Sequence, residues 1–303
     1  ECFPLLQELN FRYPCPSISS IEDSYHQVCS SYVDGIKALS LALIKLRKVN
    51  LSGFPLNNES LFHLFNNCKL LQEVIMIRCD AITYTGLAYA LRERPTLNSL
   101  SFHSFESDEL LYSIARKRLP LTKLDLSFCT GYSYAGILCL LTKCQRIQHL
   151  NLQGAEYLTD QHVVQLSSFL GDLVYINLSY CDELTESTLL ALARKCPSLS
   201  KMIMETFGNK IVRLSDSLLQ ESGVYPQLKS LCLGGNLWFS DEGAIMVASI
   251  FPNLELFNLN ACTCSLFDLY SCPWLSEGNC QDLRKRCKVT YINLAEWSRM
   301  KLL

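Results

Sequence analysis

Leu121-Thr122-Lys123-Leu124-Asp125-Leu126-Ser127-Phe128-Cys129 is the stretch whose reading decides the fold. Apolar residues stand at its first, fourth and sixth positions, and a thiol at its ninth. The phrase returns as Ile147-x-x-Leu150-x-Leu152-x-x-Ala155 and as Leu173-x-x-Ile176-x-Leu178-x-x-Cys181, each copy 26 residues after the last. Alternation through the middle of the phrase suits a short strand that turns half of its side chains towards a core. One such unit cannot bury its apolar side alone, so copies must stack on one another.

Outward from this stretch, first anchors fall at Leu71, Leu97, Leu121, Ile147, Leu173, Leu199, Leu228 and Leu254, with spacings of 26, 24, 26, 26, 26, 29 and 26. Thr83, Ser133, Thr159, Thr185 and Ser240 each follow their anchor by twelve residues and precede a helical phrase. They read as N-caps, whose hydroxyls accept orphan backbone N–H groups. Asp160, Asp216 and Asp241 add negative charge at helix starts, where the dipole favours it. Each unit is therefore strand, turn, helix, turn. The expected fold is α/β, a leucine-rich-repeat solenoid: a curved horseshoe with parallel strands on its concave face and helices on its convex face.

The array is expected to form a single solenoid over 1–303, with regular repeats at 46–262. Leu6-x-x-Leu9-x-Phe11 starts it, and an irregular, serine- and proline-rich insertion at 12–45 follows, ending in a helix near Val33 to Leu43. Thr206 to Arg213 account for the long spacing, and 263–303 read as a C-terminal cap that still holds Val289-x-x-Ile292-x-Leu294. Pro95, Pro197, Pro226 and Pro252 stand two residues before an anchor, which suits extended chain. The opening Glu1-Cys2-Phe3-Pro4 already lies inside a repeat-like phrase, so the sequence reads as part of something longer.

Composition narrows the partners. With 27 Lys+Arg against 29 Asp+Glu, no net field draws in nucleic acid or an anionic membrane. No apolar run approaches the roughly 18 residues that a membrane helix needs, and no signal peptide stands at the start. The 16 cysteines fit either a disulfide framework or a reduced chain. Their columns favour the second reading: Cys79, Cys129, Cys181 and Cys262 share the ninth position, and Cys68, Cys144 and Cys196 precede an anchor by three. Such thiols pack as small hydrophobes, which implies a cytoplasmic or nuclear protein.

Residues beside the strand leucines point away from the core. From this face the candidate partner-binding residues are Lys48, His103, Lys123, His149, Asn151, Tyr175, Asn177, Lys201 and Tyr291. A central column of Asn10, Asn50, Asp125, Asn151, Asn177, Asn258 and Asn293 reads as a hydrogen-bond ladder between strands, or as a polar floor beneath a partner. No catalytic set is expected, since the five histidines are dispersed and no phosphate loop, nucleophile elbow or zinc-helix motif is present. Cys262, Cys264, Cys272, Cys280 and Cys287 lack the paired knuckles of structural zinc, so no metal is expected. Arg284-Lys285-Arg286 with Lys288 reads as a solvated helix face, with a nuclear import or acidic-partner patch as the alternative.

Cys196-Pro197-x-Leu199-x-x-Met202-x-Met204, and the fuller copy with Asn177-Leu178-Ser179-Tyr180-Cys181-Asp182-Glu183-Leu184-Thr185, resemble the cysteine-containing leucine-rich repeat. That subtype is similar to the substrate-receptor region of F-box/LRR proteins, especially plant ones. The resemblance implies a non-catalytic substrate-recognition module of an SCF-type E3 ubiquitin ligase, which recruits a target protein through its degron. The SCF adaptor would then be gripped by an F-box outside these 303 residues, since none is legible within them. Hormone-receptor-like members carry a basic pocket for an inositol polyphosphate. Here Arg12, Lys48, Lys123 and Lys201 are dispersed, so no cofactor is expected. The alternatives are a free-standing LRR scaffold or inhibitor and, second, a GTPase-activating LRR protein. The latter class favours asparagine at the ninth position, which only Asn236 supplies here.

Overall fold

Where the fourth and sixth positions of the phrase are apolar, the chain forms strands of three or four residues, and within each of its two compact units each strand lies parallel to the next. The computed structural model describes residues 3, 5–11, 25–54, 56–79, 81–92, 96–103, 107–129, 131–206, 223–236, 247–259 and 291–293, with backbone alone at 25–32 and 291–293. Expectations for residues 12–24 of the insertion, for Pro95, for 207–222, Ser240, Asp241, the cysteine-rich tail and the basic run lie outside them.

Two compact units divide the chain, Glu1–Ile147 and Gln148–Leu303. The first contains β1 (Glu8–Asn10), α1 (Tyr25–Ala42), β2 (Lys48–Asn50), α2 (Asn58–Asn67), β3 (Glu73–Met76), α3 (Tyr84–Leu91), β4 (Ser99–Phe102), α4 (Asp108–Lys117), β5 (Lys123–Asp125) and α5 (Tyr134–Lys143). The second contains β6 (His149–Asn151), α6 (Asp160–Leu166), β7 (Tyr175–Asn177), α7 (Glu186–Lys195), β8 (Lys201–Ile203), β9 (Ser230–Cys232), β10 (Leu256–Asn258) and β11 (Tyr291–Asn293). Helix α1 starts well before the expected Val33 and includes Ser30 and Ser31. Serine is a middling helix former, and a few hydroxyls do not break a helix.

Register follows the leucines. Leu9, Val49, Val74, Leu100 and Leu124 are paired in line across β1 to β5. In the second unit Leu150, Ile176, Met202, Leu231, Phe257 and Ile292 are paired in line across β6 to β11. From Val49 to Leu124 and from Leu150 to Phe257 these side chains are at most 2% exposed. Helices supply the opposite wall: Leu110, Leu111, Ile114 and Ala115 of α4, and Ile137, Leu140 and Leu141 of α5, are buried at helical spacing. Truncating one of the strand leucines to alanine costs about 2–5 kcal/mol.

Pro197 and Pro252 take a different place from the extended one expected. Leu199 N–H donates to the Cys196 carbonyl at 3.1 Å, and Leu254 N–H to that of Phe251 at 3.3 Å. Pro197 and Pro252 therefore stand second in four-residue turns, where a fixed φ near −65° is already correct.

At the helix starts, Thr83, Ser133, Thr159 and Thr185 each accept a backbone N–H, as expected. Two caps escaped the twelve-residue rule, Asn57 for α2 and Ser107 for α4, because their strand-to-helix loops are shorter. The first residue of alternate helices also clamps the next cap. Thr83 N–H donates to Asn58 Oδ1 at 2.9 Å, Ser133 N–H to Asp108 Oδ1 at 2.8 Å and Thr185 N–H to Asp160 Oδ1 at 2.9 Å. A Cβ at Gly86 or Gly136 would overlap the Asn58 or Asp108 side chain. The third copy has Thr188 there instead, and its hydroxyl donates to Asp160 Oδ1 at 2.6 Å.

The strand ends explain the ninth position. Cys79 Sγ lies 3.2 Å from the Leu51 carbonyl, Cys129 Sγ 3.4 Å from that of Phe102 and Cys181 Sγ 3.5 Å from that of Leu152. Each thiol donates to the carbonyl at the sixth position of the preceding repeat. Asn236 does the same through Nδ2, to the Met204 carbonyl at 2.9 Å. The column therefore needs a small buried donor, beyond the packing role inferred from sequence. All eight cysteines whose side chains are described carry free thiols.

One backbone feature recurs at the eighth position. Gly53, Arg78, Phe128, Gly154, Tyr180, Thr206 and Gly235 all have φ between 49° and 77°. This bend lets the chain leave the strand while its N–H still reaches the next repeat, as Gly53 N–H does to the Ile77 carbonyl at 2.8 Å and Tyr180 N–H to that of Glu205 at 2.9 Å. Left-handed backbone costs a residue with a Cβ roughly 1–2 kcal/mol.

Candidate protein-binding surface

Strand alternation places Lys48, Lys123 and Lys201 in the open and their leucine-type neighbours in the core. The polar column between the two is not chiefly an interstrand ladder. Asn50 Oδ1 accepts the N–H of Ser52 at 3.0 Å, Asp125 Oδ1 that of Ser127 at 3.0 Å, Asn151 Oδ1 that of Gln153 at 3.1 Å and Asn177 Oδ1 that of Ser179 at 3.0 Å. Each is an Asx turn that satisfies the backbone where its own strand stops. Serines at the seventh position continue the scheme across repeats. Ser52 Oγ accepts the Ile77 N–H at 3.3 Å, and Ser179 Oγ accepts the Glu205 N–H at 3.0 Å.

In the first unit, Lys48 pairs with Glu8 at 3.2 Å, and that hydrogen bond holds its ammonium above the ordinary lysine range. His103 is half-buried at the end of β4, with Nε2 2.7 Å from Ser127 Oγ and its ring edge-on to Phe128 at 6.4 Å. Burial pushes its pKa down; Asp125 opposes that shift, and Arg78 adds to it. Lys123 is exposed one strand further along.

The second unit brings three candidates together. His149, Tyr175 and Lys201 occupy one register position on β6, β7 and β8. The imidazole of His149 stacks on the Tyr175 ring at 6.0 Å, and Lys201 Nζ lies 5.6 Å from the same ring's centroid. This is a histidine–tyrosine–lysine row with an exposed cation at one end. Asn151 and Asn177 lie beside it, but Asn177 is buried, and its Nδ2 donates to Gln153 Oε1 at 3.2 Å. Its Oδ1 serves the backbone at the strand end. Past the end of β8, Glu205 accepts from Asn258 Nδ2 at 3.4 Å. Tyr291 shares the register on β11 by its backbone pairing to Leu256, and its side chain lies outside the described residues.

Nucleophilic chemistry has little to work with here. Burial pushes the Cys144 thiol up to about 11 and those of Cys181 and Cys196 up to about 12, far from a thiolate at neutral pH. His63 faces Glu59 at 3.7 Å on α2, and His162 completes a capping box on α6. Among the described residues no group of three or more His, Cys, Asp or Glu side chains could hold a metal ion, and no helix is long and apolar enough to cross a membrane. What the face offers is shape, aromatic area and a few cations, which suits binding better than bond-making.

Register, caps and strand-end bonds together define an α/β solenoid of leucine-rich repeats. No protein-family model matches the chain. Over 81 residues it is 28% identical to the F-box protein SKIP1 of Arabidopsis thaliana, a stretch that makes up 26% of this chain and 25% of that protein. The chain thus matches only about a quarter of the length of this curated relative. Among solved structures, the leucine-rich repeat-containing protein LegL7 of Legionella pneumophila aligns with 93% of this chain and 91% of its own, at a TM-score of 0.57 and 14% identity, which supports the fold alone. Yeast Rad7, in its complex with Elc1, aligns with 80% of this chain and 77% of its own, at a TM-score of 0.46 and 14% identity.

Proposed function

We propose that this chain is the protein-recognition part of an SCF-type ubiquitin ligase and holds a target protein against the open face of its strands. The observation that carries the recognition half is the His149–Tyr175–Lys201 row. It stands on three adjacent strands, with the Lys201 head exposed and tyrosine area beside it. Tyrosine and a neighbouring cation anchor interfaces at low entropic cost, because a rigid sheet has already oriented them. The ligase half draws on the similarity to an F-box protein. In this reading the chain performs no bond chemistry itself, works in the cytoplasm or nucleus, and meets the SCF adaptor through a segment outside these residues.

Two measurements test the proposal. The full-length natural protein should co-purify with the SCF adaptor at one-to-one stoichiometry; a full-length protein that fails to do so is not an SCF subunit. Proteins whose ubiquitination falls when it is deleted from its cell should bind the purified chain. The double charge reversal Lys123→Glu/Lys201→Glu should weaken that binding at least tenfold, with the melting temperature nearly unchanged. Unaltered affinity would remove the open strand face as the binding site.

A further inference from the structure

Among the described residues, seven eighth positions are left-handed, and three of them hold glycine, the residue that adopts this backbone without strain: Gly53, Gly154 and Gly235. At the same backbone position stand Arg78 with φ 56° and Phe128 with φ 55°, each forced into a conformation its side chain disfavours. Nothing in the bend requires those side chains, since glycine closes it elsewhere. Nor do they serve the core: Phe128 is 52% exposed, and Arg78 is exposed too. Strained bulky residues with their side chains in solvent point to a purpose outside the fold.

His103 joins them into a row across the ends of β3, β4 and β5. Its imidazole is held by the Ser127 hydroxyl at 2.7 Å and meets the Phe128 ring edge-on at 6.4 Å. Arg78 stands on the other side, close enough for its charge to disfavour a proton on that imidazole. The row therefore runs from an exposed apolar ring, over a half-buried imidazole, to an exposed guanidinium.

We infer that the strand-end row Phe128–His103–Arg78 is a docking rim for an extended, acidic–apolar segment of the partner protein. The spacing defines that segment. Phe128 and Arg78 stand two strand intervals apart, roughly 10 Å, and a segment extended in the polyproline-II form advances about 3.1 Å per residue with three residues per turn, so residues i and i+3 share one face. An aromatic or aliphatic side chain over Phe128 thus places an aspartate or glutamate three residues away against Arg78. Guanidinium pairs with a carboxylate in a two-pronged fit, which fixes the segment's direction along the rim. The inference rests on the reading of this chain as a protein-recognition module and adds a second contact to the open strand face.

The test is a phage-displayed library of random dodecapeptides panned on the 303-residue chain. Recovered peptides are then measured against the wild type, Phe128→Gly, Arg78→Glu and the open-face double variant Tyr175→Ala/Lys201→Glu. Enriched peptides should carry an apolar residue and an acid three positions apart. They should lose at least tenfold in affinity on Phe128→Gly, a variant that keeps its melting temperature because glycine suits the bend. Arg78→Glu should cost a similar factor, and replacing the peptide's acid with lysine should restore binding to that variant alone. Enriched peptides indifferent to Phe128 and Arg78 would overturn the rim. If they respond only to the Tyr175 and Lys201 changes, the rim falls and the proposed function stands. If no recovered peptide responds to either surface, both readings fall.

Discussion

Two sets of strand-end loops share one backbone and differ in what occupies it. Gly53, Gly154 and Gly235 turn the chain at φ 70–77°, and Arg78, Phe128, Tyr180 and Thr206 turn it at φ 49–58°. Both sets carry the ladder onward, through Gly154 N–H to the Ser179 carbonyl and through Thr206 N–H to the Gly234 carbonyl, each at 2.9 Å. The comparison separates two demands that a repeat must meet. Stacking dictates the bend, and the bend is indifferent to the side chain except through strain. A bulky residue at that position reports something that stacking does not explain.

The harshest way to break the comparison is to give a glycine loop a side chain. Gly235→Val should lose about 2 kcal/mol or more, from left-handed strand-end backbone in a β-branched residue and from crowding against Thr206 Oγ1. The midpoint of urea unfolding reads this directly, and an unchanged midpoint would mean that the bend tolerates any residue.

Helix starts allow a parallel test with a sign change. Gly136→Ala should cost about 1–2 kcal/mol, because the new methyl overlaps the Asp108 carboxylate that clamps Ser133. In an Asp108→Ala background the same change should stabilise by up to about 1 kcal/mol, since alanine is the better helix former. A urea-unfolding double-mutant cycle that shows additivity would dismiss the clamp.

Removing the bulk is the gentler arm. Phe128→Gly and Tyr180→Gly delete large rings yet should leave stability within about 1 kcal/mol of wild type or above it, because strain relief offsets lost contact. A larger loss in thermal unfolding would assign those rings to the fold and remove the reason to look for a partner there.

The smallest effect concerns the thiol columns, which lie beneath both kinds of loop. Cys181 and Cys196, with pKa values pushed up to about 12, hold a minute thiolate fraction at pH 8. Site-resolved alkylation should therefore modify half-buried Cys139 first and the two buried thiols only after unfolding. As pH rises towards their folded-state values, ionisation favours the unfolded chain, where the thiol pKa is ordinary, so stability should fall on the alkaline side. Equal labelling of Cys139 and Cys181 in folded protein would contradict their burial.

Much of this is legible in the sequence. The apolar positions placed the strands, and Leu124 and Leu150 fall in the paired columns that their spacing implied. Thr83, Ser133, Thr159 and Thr185 marked helix starts because a cap is a local device, complete within four residues. Asn57 and Ser107 were missed because a fixed offset cannot follow a loop that shortens. Gly53, Gly154 and Gly235 all stand seven residues after a first apolar position, and glycine recurring there is the sequence signal of positive φ.

The candidate face divides in the same way. His149, Tyr175 and Lys201 could be assigned to one side of their strands from alternation, yet their grouping on adjacent strands depends on register. Asn177 shows the limit of alternation, which places a residue on the open side without saying whether its amide is already committed. The donor role of Cys79, Cys129 and Cys181 was hidden for a similar reason, since the carbonyl each one meets belongs to the repeat before.

Sequence alone determined the repeat: which side chains are apolar, at what period, and therefore which segments become strand and helix. Those outcomes depend on interactions within one unit and on the hydrophobic effect, which reads composition and periodicity. Tertiary structure alone decided which thiol meets which carbonyl, which asparagines serve the backbone, and that His103 lies between Phe128 and Arg78. These are contacts between residues about 25 positions apart, and a directional hydrogen bond or ring contact exists only once stacking has set its distance and angle.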